Sequence, residues 1–132
     1  VFSSKIINKI GYVSHAEVKK YQQSSQVLLL AVNKVPSAKG IITGKIFEYL
    51  QAKRPILAIG PEDGDLSEIL KETNTGIIVD FDNKEKLKLE ILRLYSEYKK
   101  DNLKVESKNI EQFHRKNLTK ELAVIIKETI KA

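Results

Sequence analysis

The run TGKIFEYL at 43–50 places a glycine and a lysine where a helix would begin, with a glutamate one turn in. A helix start presents free backbone N–H groups and the positive end of the dipole, a setting that favours an anion. Gly44 would let a ligand approach the backbone closely, and Lys45 adds positive charge. On a helical wheel Ile46, Phe47, Tyr49 and Leu50 cluster, and Glu48 falls on the other side. A carboxylate repels a phosphate but accepts hydrogen bonds from hydroxyls. A nucleotide with its phosphates at the helix start and its ribose over Glu48 meets both conditions. The plainer account also stands: an acid in the first turn stabilises a helix by ~0.3–1 kcal/mol without any ligand. Neither GxGxxG nor GxxxxGK[ST] occurs, so the usual dinucleotide and P-loop fingerprints are missing.

Other residues offer weaker chemistry. Asp80-Phe81-Asp82 spells DxD, and two carboxylates at a strand end can hold a divalent cation. Asp82 also reads as a helix cap, which accounts for it without a metal. Glu62, Asp63 and Asp65 form an acidic turn that misses the EF-hand spacing. His15 and His114 are the only histidines. His15 stands where it could touch a base or a diphosphate, whereas His114 has no acid or hydroxyl in motif spacing. No Ser/His/Asp arrangement is readable, and no nucleophile is assigned.

These residues need elements to position them. Ile6–Val13 (IINKIGYV) reads as a strand. Ser14 and Glu17 form a capping box that opens a helix with Val18 and Tyr21 on its apolar face. Val27–Val32 (VLLLAV) reads as a strand buried on both faces. The loop Asn33–Thr43 leads to a helix over Lys45–Lys53, then Pro55–Ile59 (PILAI) is a second buried strand. Asp65 and Glu68 are expected to cap a helix over Leu66–Glu72, and Ile77–Val79 is a third apolar strand. Asp82 and Glu85 are expected to cap a helix reaching about Lys100, with Leu87, Ile91, Tyr95 and Tyr98 on its buried stripe. Tyr95, Tyr98 and Phe113 read as core. A last helical region spans Ile110–Ile130 with a break near Asn117–Thr119. Both C-terminal helices are expected to pack across the sheet. Alternating strands and helices predict right-handed crossovers and a parallel sheet covered on both faces, an α/β sandwich. Ligands of such sheets sit at the C-terminal strand ends, here Val13–His15, Asn33–Lys45, Gly60–Asp65 and Asp80–Asn83.

Composition narrows the classes. The chain has 132 residues, 42% apolar and 30% charged, the mix of one globular domain. The absence of cysteine excludes disulfides and thiolate chemistry within it, and fits a reducing cytoplasm. No run of about 18 apolar residues occurs, and no signal peptide is readable. No methionine stands at position 1, so the chain is expected to be a piece of something longer. Net charge is +6, but the lysines alternate with acids along helices, as at Lys84–Lys88, and form no compact block with aromatics. Nucleic acid is therefore not an expected partner. The basic helix Lys84–Lys100 has two readings, a solvated face or a peripheral contact with an anionic membrane.

Three segments carry a resemblance: IGYVSHAEVKKYQQSSQVLLL, TGKIFEYLQAKRPILAIGPEDGDLSEIL and TGIIVD. In this order they resemble the C-terminal, donor-binding domain of retaining glycosyltransferases of the GT-B fold, over roughly residues 8–82. The tail FHRKNLTKELAVII resembles how such chains end. The resemblance implies a Rossmann-like three-layer sandwich with a parallel sheet, the C-terminal half of a GT-B glycosyltransferase. It implies a nucleotide-sugar donor, UDP- or GDP-linked, with no required metal or other cofactor. Glu48 would hold the ribose hydroxyls. The backbone around Thr43, Gly44, Lys45 and Ile46 would face the diphosphate. Tyr12, Val13 and Ser14 would border the base, with His15 beside them, and Ser37–Thr43 would lie near the sugar. The complete enzyme would be cytoplasmic and would transfer a sugar to a glycan or lipid-linked acceptor, using an N-terminal acceptor domain that this chain lacks. The chain alone is expected to turn over nothing.

The family often carries Glu-x7-Glu, yet counting back from Glu48 lands on Gly40, so the first acid is missing. Its diphosphate-binding Arg/Lys pair usually lies upstream of residue 1. From the residues alone the alternative is a non-catalytic nucleotide- or protein-binding α/β module in which Glu48 is only a helix-start acid.

Overall fold

The computed structural model describes residues 6–131. Three short strands, β1 (Leu28–Ala31), β2 (Ile56–Ile59) and β3 (Gly76–Val79), form one parallel sheet in that order. Leu28 pairs with Ile56 and Ile56 with Gly76, so all three strands start at one level. The helices are α1 (His15–Ser24), α2 (Lys45–Ala52), α3 (Asp65–Thr73), α4 (Lys84–Lys99) and α5 (Arg115–Lys131). The α/β order with a parallel sheet matches the sequence expectation.

Strand side chains alternate between two cores. Leu30, Ile56, Ala58 and Ile78 face Ile46 and Leu50 of α2 and Leu66, Ile69 and Leu70 of α3. Leu57 and Val79 on the other face meet Leu94 of α4, with Val27, Ile77, Leu87 and Leu103 around them. PILAI is buried on both sides because β2 is the central strand. VLLLAV is not: Leu29 is 60% exposed and Ala31 is exposed. β1 is an edge strand, and α4 covers only the β2–β3 half of that face.

Other expectations are corrected. Ile6–Val13 forms no strand, because no neighbour among the described residues supplies a ladder for it. The α3 cap is Gly64, not Asp65, and it makes no side-chain cap bond. A Cβ on Gly64 would lie 2.7 Å from the Lys39 carbonyl oxygen, so packing against that loop selects glycine. The α4 cap is Asn83, whose Oδ1 accepts the Lys86 N–H at 3.0 Å, while the Asp82 carboxylate turns to Lys34. On α4 the buried residue is Leu94, and Ile91, Tyr95 and Tyr98 lie on the exposed side.

The last helical region breaks at His114, between a 3-10 turn at Ile110–Phe113 and α5. Asn117 does not break it: its Nδ2 donates back to the Glu111 carbonyl at 2.7 Å and staples the junction. The 3-10 turn reaches the core through Ile110 and Phe113, with Phe113 5.7 Å from Phe47 ring to ring. α5 buries none of its residues and does not cross the sheet. No helix among the described residues is long and apolar enough to cross a membrane.

Candidate functional site

Each strand ends in a loop that leads to a helix start on one edge of the sheet, and ion pairs lock these loops together. Lys34, after β1, binds the Asp82 carboxylate at 2.7 and 2.8 Å before α4. Lys39 binds Asp63 at 2.5 Å before α3. The Lys39 hydrogen bond holds the Asp63 carboxyl below its ordinary 3.8. Both pairs are largely exposed, so each contributes little to stability. They fix the course of the loop that delivers Thr43 and Gly44 to α2.

At the α2 start Gly44 is the cap residue, with right-handed φ −58° and no side-chain cap bond. Nothing lies within 4 Å of where its Cβ would be, so the backbone is open on that side. The Ile46 and Phe47 N–H groups donate to the carbonyls of Thr43 and Gly44 at 3.1 and 3.3 Å. The N–H groups of Gly44 and Lys45 have no backbone partner among the described residues. The Ile46 side chain is fully buried, so only its backbone borders the site. The Thr43 hydroxyl is buried without a hydrogen-bond partner among the described residues. Lys45 is exposed.

Glu48 lies on the exposed face of α2 and accepts a hydrogen bond from Gln22 Nε2 at 3.0 Å. Together with His15, Lys19, Gln51 and Ala52 these residues line one recess of about 60 Å³ between α1 and α2. That is the share of about two waters in bulk liquid, enough to seat hydroxyl groups but not to enclose a nucleoside. The neighbouring Tyr49 hydroxyl donates to the Leu29 carbonyl at 3.3 Å. Burial, and then the Glu48 charge, raises this phenol above its ordinary 10.0.

Ser14 caps α1. Its hydroxyl donates to Glu17 Oε2 at 2.7 Å, its N–H donates to the same oxygen at 2.9 Å, and it accepts the Glu17 N–H at 3.3 Å. These bonds hold Glu17 below its ordinary 4.5. The structure therefore brings His15 and Glu48 to one recess, but not Tyr12, Val13 or Ser14. Tyr12 projects fully into solvent, and Val13 is half-buried. Sequence reasoning passed over Lys19 and Gln22. Their signal is the stripe His15, Lys19, Gln22 at i, i+4 and i+7, one face of α1.

The DxD acids are engaged. Asp82 holds Lys34, and Asp80 Oδ1 accepts the Asp82 N–H at 3.2 Å. Among the described residues no group of three His, Cys, Asp or Glu could hold a metal ion. No protein-family model, curated protein or solved structure matches the chain.

Proposed function

We propose that this chain is the donor-binding domain of a glycosyltransferase that moves a sugar from a nucleoside diphosphate to a glycan or lipid-linked acceptor. One observation carries the reading: Glu48 sits one turn inside a helix whose first N–H groups, at Gly44 and Lys45, have no backbone partner among the described residues, with open space where a Gly44 Cβ would lie. Phosphate oxygens would take those N–H groups with help from the Lys45 charge. The ribose hydroxyls would donate to Glu48, with His15 across the recess. The α/β order with a parallel sheet supports the GT-B assignment, because ligands of such folds gather at this edge. In the complete enzyme the domain would act by holding the donor and stabilising the leaving diphosphate, and the acceptor domain would supply the rest of the site.

Calorimetric titration with UDP and GDP, on the native chain and on Glu48→Ala, tests this. A loss of about tenfold in affinity, ~1.4 kcal/mol, is expected on substitution. Binding that ignores Glu48, or none even in a chain extended upstream, would overturn the reading. A second reading rests on the Gln22–Glu48 bond, which gives the carboxylate a structural task without a ligand. Under it the chain is a non-catalytic α/β module.

A further inference from the structure

A second cavity lies at the far edge of the sheet, along the outer side of β3. It is a trough of about 960 Å³ between α3 and α4, with Gly76 and Ile78 among the residues that line it. Ser67 and Leu70 line it from α3, and Arg93 and Leu94 from α4. The Glu62–Lys86 ion pair and the run Asn102–Glu106 also border it.

Three features of this trough bear on what it could hold. First, the β2–β3 ladder uses the odd-numbered residues of β3, as in Ile56 N–H to Thr75 O and Gly60 N–H to Val79 O, both at 3.0 Å. A parallel ladder alternates, so the N–H and C=O groups of Gly76 and Ile78 point outward into the trough. Neither residue has another backbone partner among the described residues. Ile78 is only 4% exposed, so its outward main-chain groups lie at the floor of the trough. Second, Ser67 is 1% exposed and its hydroxyl has no hydrogen-bond partner among the described residues. Third, the next outward N–H, that of Asp80, is not free: Glu62 Oε1 accepts it at 3.1 Å. Among the described residues the edge is capped at that end and unpaired over Gly76–Ile78.

The chemistry of the lining selects the occupant. Its cations (Lys71, Lys86, Arg93, Lys104) are balanced by carboxylates (Glu62, Glu90, Glu97, Glu106), so an anion gains little from the net field. What is unsatisfied is main chain and a hydroxyl, flanked by Leu70 and Leu94. We propose that this trough binds an extended polypeptide segment of a partner, added to the sheet as a fourth strand beside β3. Four residues at about 3.3 Å each match the length of β3. Their main chain pairs with Gly76 and Ile78, and alternate side chains lie along the α3 and α4 walls of the trough. The helices on either side admit one extended chain and keep out the flat edge of a second sheet.

The test is a display selection from random octapeptides on the full chain, followed by amide hydrogen exchange with each enriched peptide as a synthetic probe. Slowed exchange at the Gly76 and Ile78 amides is expected, together with at least tenfold weaker binding when alternate peptide nitrogens are methylated. Leu94→Trp, which fills the trough, should weaken binding by a similar factor. The methylated peptide decides the matter even if that variant folds poorly. No enrichment, protection elsewhere, or equal binding by the methylated peptide would overturn the proposal.

Discussion

Gln22 on α1 donates to Glu48 on α2 at 3.0 Å, and this bond joins two helices that share little buried surface, since α1 buries no residue. The bond separates the two readings of Glu48. If the carboxylate holds a ribose, Gln22→Ala removes a competitor, and UDP or GDP affinity stays within about threefold while Glu48→Ala loses about tenfold. If the bond only ties helices, both substitutions lower stability alike, by about 0.5–1.5 kcal/mol, and nucleotide has no effect on either. Titration and thermal melts of the two variants with and without nucleotide decide between them.

Gly64 and Gly76 are held by contact, not by an unusual backbone angle. A Cβ on Gly76 would lie 2.1 Å from the Ile56 carbonyl oxygen, inside the β2–β3 ladder. A Cβ on Gly64 would meet the Lys39 backbone at 2.7 Å, where two strand-end loops cross. Alanine at either position should cost about 1–3 kcal/mol, as overpacking does. Gly44→Ala meets nothing within 4 Å and should cost far less. Denaturant melts of the three variants check the ranking. Native-like stability of Gly76→Ala would show that the β3 start adjusts more freely than this contact allows.

The legible parts of this chain were those set by local pattern. PILAI announced a central strand, and the Ser14–Glu17 capping box appears atom for atom. Glu48 was readable as the acid off the apolar cluster of α2 because a helix displays its own face. What failed depended on neighbours. VLLLAV has the composition of a central strand, yet nothing local says that it stands at an edge with Leu29 bare. Asp82 and Asp65 have good capping chemistry, but Lys34 draws one away and the Gly64 contact with Lys39 displaces the other. The Gln22–Glu48 bond spans 26 residues and has no local signature.

Glu62 makes the fold sensitive to acid. It accepts hydrogen bonds from Lys86 Nζ at 3.0 Å and the Asp80 N–H at 3.1 Å, which hold its carboxyl below the ordinary 4.5. A depressed folded pKa means that the unfolded chain binds the proton first. The stabilisation is therefore complete above the unfolded value and is lost as pH falls through the folded one. Solvent screening keeps the effect small, because both side chains are more than a third exposed. Lys86→Ala removes the larger cause, so as pH falls below the ordinary 4.5 its melting temperature should fall less steeply than that of the native chain. Parallel curves would mean that Lys86 does not set the Glu62 titration.

Leu94 and Ile91 test which stripe of α4 faces the sheet. Leu94 is 8% exposed against Leu57 and Val79, and Ile91, three residues earlier, is 50% exposed. Leu94→Ala should leave a cavity and cost about 2–5 kcal/mol. Ile91→Ala should stay within about 0.5 kcal/mol, the range of a surface change. Urea titrations with equal slopes would give the comparison directly. A large cost at Ile91 would mean that in solution another surface covers the side of α4 bearing Ile91 and Tyr95.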